Sequence, residues 1–344
     1  MRGISRRLAL PVVGLGATAL LLAACDTGDY TVRFVVGTDG LIINTTDAGS
    51  TWTPQASGVS VTLNGVAFAG TSNGCAVGDD ATVVRTTDGS TWSGATTVPT
   101  TKELNAVDLS GNLIPEAPTN AAVSILPKYT AFAVGKSGTI LYSADQCDTW
   151  TQQTSGTTKT LNGVSTGRCS CSAAWAVGDD GTILHTSNLG STWSAQVSGV
   201  KSQLLAVSFA TSNDGWAVGT GGVILATTNG GTTWTKQKSP TKRTLEGVAA
   251  ADSTHAYAVG DDGVIVATSD GVTWTKQTTH TSTDLDSIST ILDSPPAMFY
   301  SPANGDWHDA IAVGSGGLIL MTQDGGATWT KSASGTKQNL EGAA

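Results

Sequence analysis

The stretch LLAVSFATSNDGWAVGTGGVILATTNGGTTW, residues 204–234, carries the pattern that decides the fold of this 344-residue chain. It begins with Leu-x-x-Val, continues through Ala-Val-Gly and Val-Ile-Leu, and ends on Thr-Trp. Each apolar segment is short and is bounded by Gly, Ser, Asn or Asp, which is typical of strands joined by tight turns. The stretch therefore predicts a unit of four short strands, the fourth beginning at Thr-Trp.

The same unit recurs along the chain. Its Val-Gly centre occurs seven times, with successive glycines 41, 57, 43, 41, 41 and 54 residues apart. About fifteen residues after each centre comes a Trp preceded by Thr: Trp52, Trp92, Trp150, Trp193, Trp234, Trp274 and Trp329. Four strands every 40 to 45 residues indicate a propeller blade. We therefore predict an all-β, seven-bladed β-propeller of four-stranded blades.

The two ends of the repeat region complement each other. The first unit has no Leu-x-x-Val strand before Tyr30, and the chain ends in Leu-Glu-Gly-Ala-Ala, residues 340–344, a first strand with nothing after it. An open ring would leave both fragments unpaired at a sheet edge. We expect the C-terminal strand to pair into blade 1 and close the ring.

Residues 1–24 form a separate zone. Three arginines precede an apolar run that is short for a membrane span, as in a secretory signal peptide. The run ends in Leu-Ala-Ala-Cys, residues 22–25, which resembles the lipobox of bacterial lipoproteins. That resemblance implies that Cys25 is the lipidated residue. The alternative is an ordinary secretory signal. We expect a signal peptide over 1–24, a lipidated tether over 25–29 and the propeller over 30–344, on the extracytoplasmic side of a membrane.

The charge balance excludes one class of partner. The chain has 18 Lys and Arg against 27 Asp and Glu, and loss of the three arginines of residues 1–24 changes the net charge from -9 to -12. Nucleic-acid binding draws its affinity largely from neutralising phosphates, so no nucleic-acid partner is expected.

The turn before each Trp repeats one acidic or amide residue: Asp47, Asp88, Asp145, Asn188, Asn229, Asp270 and Asp324. The turn resembles the Asp-box (BNR-type repeat) of sialidases, sortilin-type receptors and xyloglucanases. Such a side chain accepts hydrogen bonds from its own turn, and the Trp packs between neighbouring sheets. Seven copies, two of them with Asn, favour a structural role over a metal or sugar site.

The whole unit resembles the photosystem II stability/assembly factor family. The resemblance covers residues 30–344 and implies a seven-bladed, lumenal or periplasmic, sometimes lipidated protein that assists assembly of a protein complex. Family members also carry a patch of arginines. Here the arginines after the signal peptide are few and scattered, so the photosynthetic role is not carried over: Arg33, Arg85, Arg168 and Arg243.

Catalytic patterns are weak. A sialidase needs three converging arginines and a Tyr with a Glu partner, and no spacing in the chain suggests either. Two acids from distant segments remain compatible with a glycosidase. The four histidines lack metal-ligand spacing. We predict a non-catalytic docking or assembly scaffold for a protein partner in a membrane-associated complex, with no cofactor; the alternative is a glycan-binding or glycoside-hydrolysing Asp-box propeller.

Two sets of residues are candidates for binding. The second residue of the first strand of each blade lies near the channel mouth and is polar in six blades: Asn64, Asn105, Asn162, Glu246, Asp286 and Glu341. The hairpins between the second and third strands add acids to the same face: Asp79, Asp80, Asp179, Asp180, Asp261 and Asp262. Such acids suit a cationic partner segment or, less strongly, Ca²⁺; the alternative is a solvated acidic rim.

The opposite face receives two insertions, from Asp108 to Thr130 and from Ser289 to Asp309. The second contains an aromatic group that suits a protein partner or a lid on blade 7: Phe299, Tyr300 and Trp307. Cys147 replaces a turn Gly, and an exported chain favours a disulfide from it to Cys169 or Cys171. Cys75 is expected to be a buried free thiol.

Overall fold

The computed structural model describes residues 32–111, 129–167, 172–291 and 309–344. These residues form seven four-stranded antiparallel sheets arranged as blades. Between the second and third strand of every blade lies a three-residue 3-10 turn: 38–40, 79–81, 136–138, 179–181, 220–222, 261–263 and 315–317. No helix in the described part of the chain has the length and apolarity to cross a membrane. The prediction of an all-β, seven-bladed propeller is confirmed.

The strands follow in chain order. The first fifteen are β1 Arg33–Gly37, β2 Ile42–Thr45, β3 Thr53–Gln55, β4 Leu63–Ala69, β5 Asn73–Gly78, β6 Val83–Thr86, β7 Ser93–Gly94, β8 Leu104–Gly111, β9 Tyr129–Gly135, β10 Thr139–Ser143, β11 Thr151–Gln153, β12 Leu161–Ser165, β13 Ala174–Gly178, β14 Thr182–Thr186 and β15 Ser194–Gln196. The others are β16 Leu204–Phe209, β17 Gly215–Gly219, β18 Val223–Thr227, β19 Thr235–Lys236, β20 Leu245–Ala250, β21 Ala256–Gly260, β22 Val264–Thr268, β23 Trp274–Lys276, β24 Leu285–Ile291, β25 Asp309–Gly314, β26 Leu318–Thr322, β27 Thr330–Ala333 and β28 Leu340–Ala343.

The ring is closed by the C-terminal strand, as the sequence predicts. The blade 1 sheet has the order β28-β1-β2-β3, and Val36 pairs with Gly342. Beyond the ladder, Phe34 and Ala344 exchange two backbone hydrogen bonds of 2.9 Å. Each first strand also contacts the first strand of the next blade, so that β28, β4, β8, β12, β16, β20 and β24 form the inner ring.

The core lies within and between the blades. Buried Val, Ile, Leu and Ala from the first three strands of the blades form seven apolar clusters that span blade boundaries. The Gly of each Val-Gly centre has a steric cause: a Cβ on Gly78 would stand 2.0 Å from the carbonyl oxygen of Thr62, just before β4. The repeated glycine therefore lets the second strand approach the chain entering the first.

The Asp-box turns are held by their own side chains. In blade 1 the Thr51 amide donates to Asp47 Oδ1 at 2.8 Å, and the Thr45 hydroxyl donates to the same oxygen at 2.7 Å. Hydrogen bonds led by the Thr51 hydroxyl lower the pKa of Asp47 to about 2. Gly49 adopts a φ of 84°, which favours glycine. The turn is a self-contained structural unit.

Candidate functional site

A β-bulge sets the position of every channel-mouth residue. In blade 2, Leu63 pairs with Gly78 and Gly65 with Val77, so Asn64 between them has no partner in the ladder. The same irregularity recurs in the first strand of all seven blades. A bulge redirects a side chain out of the regular alternation of a strand. The sequence predicts the location of these residues but not the bulge that orients them.

Three asparagines of the mouth join neighbouring blades, and we call them the asparagine arc. Asn64 Nδ2 donates to the Leu104 carbonyl at 3.0 Å. Asn105 and Asn162 donate in the same way to Leu161 and Leu204, at 2.8 and 2.9 Å. The amide donors of blades 2, 3 and 4 are therefore occupied by the carbonyls of blades 3, 4 and 5. These residues hold the ring together.

The other three polar residues, Glu246, Asp286 and Glu341, lie on blades 6, 7 and 1, and we call them the acidic arc. All three are partly buried. Within the described residues, none receives a hydrogen bond or forms an ion pair. Burial, followed by repulsion from the carboxylates of Glu341 and Glu246, raises the pKa of Asp286 to about 7. Burial also raises the pKa of Glu246 and of Glu341. The arc concentrates uncompensated negative charge at one side of the mouth.

The predicted hairpin acids are only partly available. Asp79 and Asp179 accept hydrogen bonds from Asn64 and Asn162, at 3.2 and 3.4 Å. Asp180 forms an ion pair with Lys159, and Asp262 forms one with Arg243 at 2.6 Å. Asp80 is exposed and Asp261 is partly buried. Much of the hairpin charge is thus compensated locally, in contrast to the acidic arc.

A Gln side chain of the preceding blade binds most of the Asp-box tryptophans, and we call this contact the glutamine clamp. We did not predict it from the sequence. Trp234 Nε1 donates to Gln196 Oε1 at 3.0 Å, while Gln196 Nε2 donates to the Gly230 carbonyl. The same clamp joins Trp92 to Gln55, Trp193 to Gln153 and Trp274 to Gln237. The available signal was a Gln three residues after the Trp in five of seven units: Gln55, Gln153, Gln196, Gln237 and Gln277.

The clamp changes at the other three interfaces. Trp52 Nε1 donates to Ser332 Oγ at 3.0 Å, across the closure of the ring. Trp150 donates instead to the Cys147 carbonyl at 3.0 Å. Gln277 donates to Thr275, and the buried Trp329 Nε1 has no acceptor among the described residues. Blades 6 and 7 therefore meet without this clamp.

Several predicted site residues lie outside the described residues. They are Cys25, Cys169, Cys171, Phe299, Tyr300 and Trp307, together with most of both insertions, whose flanking strands reach Gly111 and Ile291. Cys147 and Cys75 are free, buried thiols. A disulfide from Cys147 to Cys169 or Cys171, and a role for the aromatics, stay predictions.

Other concave or metal-binding features are limited. Two shallow depressions lie beside the 3-10 turns of blades 1 and 3, at equivalent places in the repeat, so they reflect the shape of the blade. No group of three His, Cys, Asp or Glu in the part of the chain that the structure describes is arranged to hold a metal ion. The proposal of Ca²⁺ therefore gains no geometric support from these residues.

Comparison with known proteins agrees with this architecture. Residues 185–246 match the family model described as photosynthesis system II assembly factor YCF48. A search of curated proteins found no match. Among solved structures, YCF48 from Cyanidioschyzon merolae is 19% identical with a TM-score of 0.63, over 87% of this chain and 93% of that one. A YCF48 bound to D1 peptide is also 19% identical, with a TM-score of 0.61 over 85% of this chain and 90% of that one.

A more distant likeness is to an ancestral GH74 enzyme, with 13% identity and a TM-score of 0.55 over 78% of this chain and 37% of that one. Identities at this level show the fold alone. The predicted resemblance is confirmed: the chain is a seven-bladed propeller similar in fold to YCF48, and its residues 185–246 match the YCF48 family model.

Proposed function

We propose that this protein is an extracytoplasmic, lipid-anchored propeller that acts without catalysis as a docking platform for a protein partner. The partner presents a cationic segment to the acidic arc. A similar propeller is known bound to a peptide, the D1 peptide, which supports a protein-binding role for the fold. The observation that carries the proposal is the arc itself: Glu246, Asp286 and Glu341 are partly buried, mutually repulsive and without a compensating donor among the described residues.

Electrostatics favour a cation at this place. Removing carboxylates from water disfavours their charged form, and a nearby positive charge restores it. A Lys or Arg at the mouth would therefore relieve the repulsion among Glu246, Asp286 and Glu341. It would also lower the pKa of Asp286, so binding near pH 7 should release a proton from the protein. The asparagine arc offers no comparable attraction, because its amides are already bonded to the next blade.

Paired variants test the docking site. Crosslinking and capture from membranes in mild detergent should recover a stable partner with the full chain. The double variant Glu246→Gln/Glu341→Gln should reduce recovery about tenfold, since close charge pairs contribute on the order of 1–2 kcal/mol or more. Asp180→Asn/Asp262→Asn is the matched control, because it removes the same charge from exposed hairpins. Equal loss in both variants, or no partner at all, would contradict the proposal.

Membrane attachment is tested separately. The support for it is the sequence of residues 22–25, which resembles a lipobox. Several acyl chains on one Cys give firm attachment without a membrane-spanning helix. Cys25→Ser should move the protein from the membrane fraction to the soluble fraction. Unchanged fractionation would show that another segment attaches it.

A glycoside-hydrolysing propeller is the second candidate. Asp286, with its pKa of about 7, lies among other carboxylates, and a glycosidase needs a protonated acid near a second carboxylate. The fold is also shared with a GH74 enzyme, although this chain covers 37% of it. A fluorogenic glycoside screen with a glycan array separates the candidates. Turnover that is abolished by Glu246→Gln or Asp286→Asn would replace the scaffold proposal.

A further inference from the structure

The boundary between blades 2 and 3 departs from the repeat at two facing positions. The first lies three residues before the Gly of Val-Gly and is large in six units but Cys75 in blade 2: Phe34, Phe132, Trp175, Trp216, Tyr257 and Ile311. The second lies three residues before the Asp-box Trp and is Gly in six units but Cys147 in blade 3: Gly49, Gly89, Gly190, Gly231, Gly271 and Gly326. Both exceptions occur at one interface, and both are Cys.

The space for the second Cys comes from its neighbours. A Cβ on Gly231 would stand 2.0 Å from Gln196 Oε1, and a Cβ on Gly326 would stand 2.9 Å from Tyr257. At the blade 2 and 3 boundary, Ala95 takes the place of the clamp Gln and Cys75 takes the place of the large side chain. The two smaller side chains make room for the Cys147 side chain. The departures of Cys75, Ala95 and Cys147 from the repeat are therefore linked by packing at one interface.

The two cysteines meet in the core. Cys75 and Cys147 are 0% and 1% exposed and belong to one apolar cluster with Trp150. The Cys147 and Cys75 side chains are neighbours in this cluster, and burial raises the pKa of Cys147. Cys147 also adopts a φ of 62°, a conformation that is unfavourable for a non-glycine residue. A side chain kept at such a position needs a compensating interaction.

The surrounding contacts hold the two blades in register. Arg85 pairs with Asp148 at 3.2 Å. Thr97 forms an isolated parallel bridge with Thr149, and the Trp150 amide donates to the Thr97 carbonyl at 3.0 Å. Other clamped boundaries rely on a Gln for this purpose. That Gln is absent here, and Cys75 and Cys147 lie in the core of the interface that these contacts hold in register.

We propose that Cys75 and Cys147 form a disulfide that cross-links blades 2 and 3. The oxidant is an external disulfide, either a low-molecular-weight disulfide or a disulfide oxidoreductase. One thiolate attacks the oxidant, forms a mixed disulfide and releases one thiolate; the second Cys then attacks, forms the Cys75–Cys147 bond and releases the other. The two protons lost by the cysteines end on the two thiols released. Because burial disfavours the thiolate, the exchange precedes closure of the interface.

Oxidative refolding of the purified full chain tests this independently of where the protein resides in the cell. With oxidised and reduced glutathione, non-reducing peptide mapping should find one linked pair, Cys75 with Cys147. Reduction of the folded product should lower Tm by roughly 5 °C. Cys147→Gly restores the residue of the other units and should abolish both the linked peptide and the response to reductant, as should Cys75→Ser.

Two results would overturn the inference. One is a linked peptide that joins Cys147 to Cys169 or Cys171. The other is recovery of both Cys75 and Cys147 as thiols after oxidative refolding. Cys147→Gly keeps the test decisive if Cys75→Ser fails to fold, because glycine is the residue that this turn carries elsewhere. Success or failure here leaves the docking proposal unaffected, since that rests on other residues, on blades 6, 7 and 1.

Discussion

Blades 2, 3 and 4 and blades 6, 7 and 1 place the same bulge at the channel mouth, but they fill it with different chemistry. In the asparagine arc each side chain donates to the next blade. In the acidic arc each side chain is a partly buried carboxylate without such a donor. One repeated position therefore carries an amide that joins neighbouring blades in one arc and a carboxylate without such a donor in the other.

The largest effect is expected where an arc residue is exchanged for its counterpart. Asn162→Asp removes the donor to the Leu204 carbonyl and places a carboxylate beside Asp179. We expect a loss of about 2–3 kcal/mol in the free energy of unfolding at pH 8, measured with urea. Asn105→Asp is the control, because its hairpin carries Lys136 in place of that Asp, and it should lose roughly half as much. Equal losses would contradict the role of Asp179.

The reverse exchange in the acidic arc should stabilise. Asp286 has a folded-state pKa of about 7 and an unfolded value of 3.8, so its ionisation costs stability as the pH rises between them. Asp286→Asn should gain about 1–2 kcal/mol at pH 8, after allowing for water that still reaches the carboxyl. The gain should disappear by about pH 4. A gain independent of pH between 4 and 8 would show that the carboxylates do not repel one another.

The smallest effect is expected at Asp47, in an Asp-box turn away from the channel mouth. The pH dependence of its contribution to stability has the opposite sign to that of Asp286. Hydrogen bonds lower the pKa of Asp47 to about 2, so its contribution is present above the unfolded value and is lost as the pH falls toward 2. Asp47→Asn should keep the turn, since Asn188 Oδ1 accepts the Thr192 amide at 3.0 Å in blade 4. Acid titration followed by circular dichroism should show slightly less loss of stability between pH 4 and 2 than in the wild type. A greater loss would contradict this assignment.

The fold was predictable because each blade repeats its local signals. The Val-Gly centres fix the hairpins, the Thr-Trp pairs fix the outer strands, and the terminal Leu-Glu-Gly matches the missing strand of blade 1. The pattern of a single unit is weak evidence, but seven copies in the same order indicate one fold. Closure of the ring was predictable because the strand that the first unit lacks is the one left over at the C-terminus.

For the candidate site, the sequence indicated a shared register but not the contacts that each side chain makes. Asn64 and Glu246 share one register, and the sequence grouped them as equivalent binding residues. Only the structure shows that Asn64 bonds to the next blade. The meeting of Cys75 and Cys147 was likewise hidden, because contacts between adjacent blades join residues far apart in sequence. From the sequence we expected a disulfide between Cys147 and either Cys169 or Cys171.

Because β28 pairs with β1, the blade 1 sheet can be completed only after β28 has been synthesised. Ribosomes make β1 early and β28 after every other strand described here, so the sheet that holds both waits until Leu340–Ala343 has been synthesised. A nascent chain that stops short retains an exposed β1 edge, which proteases and chaperones recognise. Loss of Leu340–Ala343 is therefore expected to leave blade 1 without its first strand.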